Sequence, residues 1–124
     1  MFGPVLAPPA VVQEFGHAPE WLSTTSVSSS ALVAALGLVL GPGEAEAIAL
    51  AAERQCRVIL DDHQARSAAA RLGLEVIGTV GILLRAKRAG LVPEVGPLLD
   101  ALDGVGFRVD PGLRRRALEL ANET

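Results

Sequence analysis

The chain has 124 residues, half of them hydrophobic but only 3% aromatic, and a net charge of −3. This length suits one compact domain, 1–124, with a core of Leu, Val, Ile and Ala, a composition usual for helices packed on a parallel sheet. The balance excludes a protein that attracts nucleic acid through overall positive charge, although cations bound by clustered carboxylates reverse the local field.

The first residues, 1–7, are apolar and read as the tail of a strand, ended by Pro8-Pro9. Proline is suited to the first turn of a helix, so 10–15 is predicted to be a short helix carrying Glu14. Residues 22–27 form a weak strand candidate rich in Ser and Thr. Ser28, Ser29 and Ser30 are available to cap a helix over 31–37. The apolar run 31–40 is too short to cross a bilayer, and the N-terminus lacks the positive region of a signal peptide. The chain therefore reads as cytoplasmic, with no membrane association.

Gly41-Pro42-Gly43 is a sharp break. Residues 44–56, Ala-rich and apolar on nearly every side, predict a helix covered by its neighbours. The lone Cys56 excludes an internal disulfide, and with two histidines at unrelated spacing it excludes a zinc cluster; it reads as a core thiol in a reducing compartment. Residues 57–60 (RVIL) predict a short buried strand, delivering Asp61 and Asp62 at its carboxyl end. A helix over 63–72 closes at Gly73. A second short strand, 75–77, leads to a helix over 80–89. Pro93 is expected to open a helix to about Leu102, 107–109 to form a small strand, and Pro111 to open a last helix ending near Asn122. Strands alternating with helices through short connections predict parallel pairing and right-handed crossovers.

The acids carry the candidate chemistry. Open α/β sheets bind ligands at the carboxyl ends of their strands, where Asp61 and Asp62 stand. Glu44 and Glu46 begin the preceding helix, and Glu14 lies in the first. Hard carboxylate oxygens suit Mg²⁺, and ions so held activate water against a phosphodiester. A second reading stays open for each: Asp61 or Asp62 as a cap of the following helix, Glu44 and Glu46 as complements to the helix dipole. His17 and His63 are coupled to no nucleophile. The Gly41 break lacks the Lys-Ser/Thr of a phosphate loop. Two basic clusters, Arg85 with Lys87 and Arg88, and Arg114 with Arg115 and Arg116, fit either a solvated face or a nucleic-acid grip.

The strings PPAVVQEF, GPGEAEAIALA, VILDDHQAR, LGLEVIGTVGILLRAKRAGLVPEV and PLLDALDGVGFRV together resemble a family of short prokaryotic PIN-like proteins, over nearly the whole chain. The resemblance implies a three-layer α/β/α fold with a mainly parallel sheet. It implies a hydrolase: a Mg²⁺- or Mn²⁺-dependent endoribonuclease that cuts single-stranded RNA, of the kind that forms the toxin half of a toxin–antitoxin system, with a small antitoxin protein as partner. On the family pattern Glu14, Glu44 and Asp62 are the catalytic and metal-binding acids, with Glu46 and Asp61 as close alternatives for metal. One departure is large. The family opens with a strand ending in Asp-Thr or Asp-Ser, well before the Pro-Pro element, and no counterpart is present here. The resemblance thus implies a missing first strand and a missing metal-binding aspartate. From this follow exposed backbone on the neighbouring strands, a tendency to pair as a homodimer, and little or no cleavage by the chain as given. The rival expectation is a non-catalytic remnant that binds a partner protein or nucleic acid.

Overall fold

Helices and short strands alternate from the start in a computed structural model of the chain, which describes residues 5–123. These residues divide into two compact units, the first ending at Ile77 and the second beginning at Gly78.

In the first unit, strand β1 (Val5–Ala7) leads through helix α1 (Pro9–Phe15) to β2 (Leu22–Thr24). The strands pair in parallel, with Val5 opposite Leu22 and Ala7 opposite Thr24. Pro9 starts α1 where its missing N–H costs nothing, and Gly16, at φ 105°, ends it in the left-handed region that a side chain would disfavour. Helices α2 (Ser30–Leu36) and α3 (Pro42–Arg54) follow. Strand β3 (Val58–Ile59) then pairs in parallel with β4 (Val76–Ile77) across helix α4 (His63–Arg71). The α/β class and the parallel pairing are as the sequence predicts. The described strands form two separate two-stranded ladders.

Helix α3 is the centre of this unit: both α1 and α2 pack on it. Its Ala45, Ile48, Ala49, Leu50 and Ala51 are buried, and the small alanines let neighbouring backbones approach closely. Ile48 and Ala51 join Leu40, Val58, Leu60, Ala65 and Ala69 in one core cluster. Full burial of Ile48 alone is worth about 1.5–3 kcal/mol. That shared core includes Leu40, just before α3, and Leu60, just before the Asp61-Asp62 pair.

The second unit contains α5 (Thr79–Arg88), α6 (Gly96–Gly104) and α7 (Pro111–Leu120), with α5 packed on α7. Val80, Val95, Leu99, Ala117 and Ala121 form its core. Two expectations fail here. The helix expected from Pro93 begins instead at Gly96, with Pro97 in its first turn. The strand expected over 107–109 is absent, because its backbone is used otherwise: Phe107 N–H donates to the Leu102 carbonyl at 2.9 Å and Val109 N–H to Asp103 Oδ1 at 3.2 Å.

Candidate metal and catalytic site

The first four N–H groups of a helix have no partner within it, and a carboxylate set against them gains both hydrogen bonds and the field of the helix dipole. The acids singled out by the sequence meet this demand in three ways. Glu14, near the end of α1, reaches the first turn of α3: its Oε1 accepts from Gly43 N–H at 3.2 Å. Glu46 makes the return contact, its Oε1 accepting from Ala10 N–H in the first turn of α1 at 3.1 Å. Asp62 caps its own helix, with Oδ2 accepting from Ala65 N–H at 2.9 Å.

Glu44 stands in the first turn of α3, next to the glycine that holds Glu14. Its Oε1 bends back toward the cap residue, 3.5 Å from where a Cβ on Gly41 would lie. Asp61 and Asp62 are both exposed at the carboxyl end of β3, following the buried Leu60. Glu14 and Glu44 are thus brought to one helix turn. Among the described residues no three His, Cys, Asp or Glu side chains group at metal-binding spacing.

Other candidates resolve as follows. His63 is an exposed first-turn residue of α4, and the His17 ring lies 4.9 Å from that of Phe15. Cys56, expected in the core, is exposed, just past the left-handed C-cap of α3 at Gln55 (φ 53°). Each basic cluster contributes to ion pairs. Lys87 bonds Glu123 at 2.8 Å, Arg114 meets Asp100 and Asp103, and Arg116 meets Glu119.

Two structural acids escaped the sequence reading. Glu53, in the last turn of α3, accepts from Ser28 N–H at 2.8 Å and Ser29 N–H at 2.6 Å, holding the entry to α2. Glu123 accepts from Lys87 Nζ and from the N–H groups of Val95 and Gly96, fixing the start of α6. The Lys87 hydrogen bond first, then those two N–H groups, pull its carboxyl down to about 2. No local signal marks either residue, since each acts on an element more than twenty positions away.

The donor chemistry can be tested against a divalent ion. Mg²⁺ is commonly held by one or two carboxylates, waters and substrate phosphate. Glu14 and Glu44, hard oxygen donors at one helix turn, fit that demand, and the space above Gly43 is filled by the Glu14 carboxylate. Glu46 is directed to α1 and Asp62 to α4.

Parallel βαβ units, with acids set at helix starts and at a strand's carboxyl end, define an α/β fold that carries candidate carboxylate ligands. The chain belongs to the PIN domain family, whose model matches residues 1–123. No curated protein and no solved structure matches it significantly. Membership supports nuclease chemistry and nucleic-acid binding in general terms, and PIN domains generally use divalent metals. Among the described residues no helix is long and apolar enough to cross a membrane.

Proposed function

We propose that the chain is a Mg²⁺- or Mn²⁺-dependent endoribonuclease of the PIN toxin type, acting on single-stranded RNA in the cytoplasm, with a small antitoxin protein as its partner and a homodimer as its working form. The observation that carries this reading is the juxtaposition of Glu14 and Glu44 at the first turn of α3 in a PIN domain.

In this reading Glu14 and Glu44 hold the ion, and Glu14 is oriented by the Gly43 N–H. A bound divalent ion supplies Lewis-acid stabilisation of the phosphoryl oxygens and an acidified water. Asp62, fixed through Oδ2 by its own helix, keeps Oδ1 for a water or for substrate-bound metal at the strand edge. Asp61 and Glu46 support these groups, Glu46 by fastening α1 to α3 so that Glu14 stays in place.

A second reading has one specific observation in its favour. Glu14, Glu46 and Asp62 each already give an oxygen to a backbone N–H, as carboxylates with purely structural work would. A PIN-like binding protein without cleavage would look the same. The separating experiment incubates the protein with labelled single-stranded RNA in Mg²⁺, Mn²⁺ or chelator. Cleavage that needs metal and is lost in Glu44→Gln supports the nuclease and overturns the expectation of little or no cleavage by the chain as given. A shifted but uncut RNA, equally so in Glu44→Gln, supports the binding protein.

A further inference from the structure

We propose that Gly43 is a positioning residue of the candidate site: the lack of a side chain there is what lets the Glu14 carboxylate rest on the first turn of α3, the turn that carries Glu44. The inference rests on the metal reading above and extends it to a residue with no donor side chain.

Gly43 is buried, and its N–H donates to Glu14 Oε1. A Cβ at this position would lie 2.7 Å from Oε1 and 2.9 Å from Oε2 of Glu14, too close for carbon and oxygen. The backbone does not explain the glycine. Gly43 lies within a helix and is not among the positive-φ glycines, so alanine would be the better helix former. What glycine provides is space for the carboxylate. Gly41 makes the contrast: a Cβ there would meet Glu44 Oε1 at an ordinary 3.5 Å. The group displaced by Gly43→Ala is the end of an exposed, flexible side chain, so the expected consequence is a moved carboxylate and a protein that still folds.

The test is Mn²⁺ binding, measured by titration calorimetry and by the spin-resonance signal of free Mn²⁺, with circular dichroism to establish folding. Gly43→Ala is expected to weaken binding by about 10–100-fold, the range for outer groups that orient a ligand. Glu14→Gln should match it, and the double variant should be no weaker than either alone. Gly41→Ala should bind like wild type. Glu14→Asp, with Gly43 intact, keeps the charge but draws it away from the Gly43 N–H, and should also lose affinity; this arm does not depend on the folding of Gly43→Ala. Wild-type affinity in folded Gly43→Ala, or in Glu14→Asp, overturns the positioning role and leaves the metal reading standing. No Mn²⁺ binding by the wild-type protein overturns both.

Discussion

Glu14 and Glu46 cap each other's helices. Glu14 belongs to α1 and accepts from the backbone of α3, while Glu46 belongs to α3 and accepts from the backbone of α1. The exchange fastens an antiparallel helix pair through two carboxylates, each set where the partner's unpaired N–H groups and dipole favour negative charge. It also gives the two acids different prospects. Glu14 ends on the first turn of α3, the turn that carries Glu44, whereas Glu46 ends at the start of α1.

Removal of the Glu46 cap should therefore act mainly on stability. Glu46→Ala is expected to cost about 1 kcal/mol, the usual worth of such a bond, with most of the metal affinity kept. Urea unfolding of the variant, with and without Mn²⁺, measures both. A loss of metal affinity as large as that of Glu44→Gln would make Glu46 a ligand.

Asp62 combines a cap with a candidate ligand, and the two roles separate by substitution. Asp62→Ala removes both and should destabilise by about 0.5–2 kcal/mol. Asp62→Ser keeps an oxygen for the Ala65 N–H and should hold stability near that of wild type, while losing the contribution of the carboxylate to metal binding. Equal stability of the Ala and Ser variants would argue that the Ala65 bond contributes nothing in solution.

Glu123 predicts a defined acid response. Its carboxyl is lowered from 4.5 to about 2 in the folded protein. A depressed pKa means that the unfolded chain takes up the proton first, so this contribution is complete above 4.5 and is lost as pH falls toward 2. Glu123→Gln should melt below wild type at neutral pH, and the gap should close progressively across that interval. Melting curves of the two proteins from pH 7 to 2 test it; a gap that stays constant would contradict the assignment.

Much of this was legible in the sequence for local reasons. Prolines 9 and 111 mark helix starts because their missing N–H is harmless there, and the Ala-rich helix expected over 44–56 is buried as its lack of a polar face implies, although it begins at Pro42 within the expected break and ends at Arg54. The Asp62 cap was one of two readings open from its position before a helix. Other features depend on distant partners. The role of Glu123 needs α6 and Lys87, that of Glu53 needs α2, and the fate of 107–109 was decided by the end of α6, which took up its N–H groups. The glycine at 43 reads locally as part of a break; only the position of Glu14 gives it a reason.

The central claim is that Glu14, Glu44 and Asp62 serve a divalent cation, Glu14 and Asp62 while also capping helices. Its most direct measurement is the melting temperature of the protein across micromolar to millimolar Mn²⁺ and Mg²⁺, compared with that of Glu44→Gln/Asp62→Asn. Binding to the folded state alone raises stability by mass action, so the account predicts a concentration-dependent rise for the wild-type protein and none for the double variant. A wild-type melting curve that stays unchanged through millimolar metal, or an equal rise in both proteins, would contradict it.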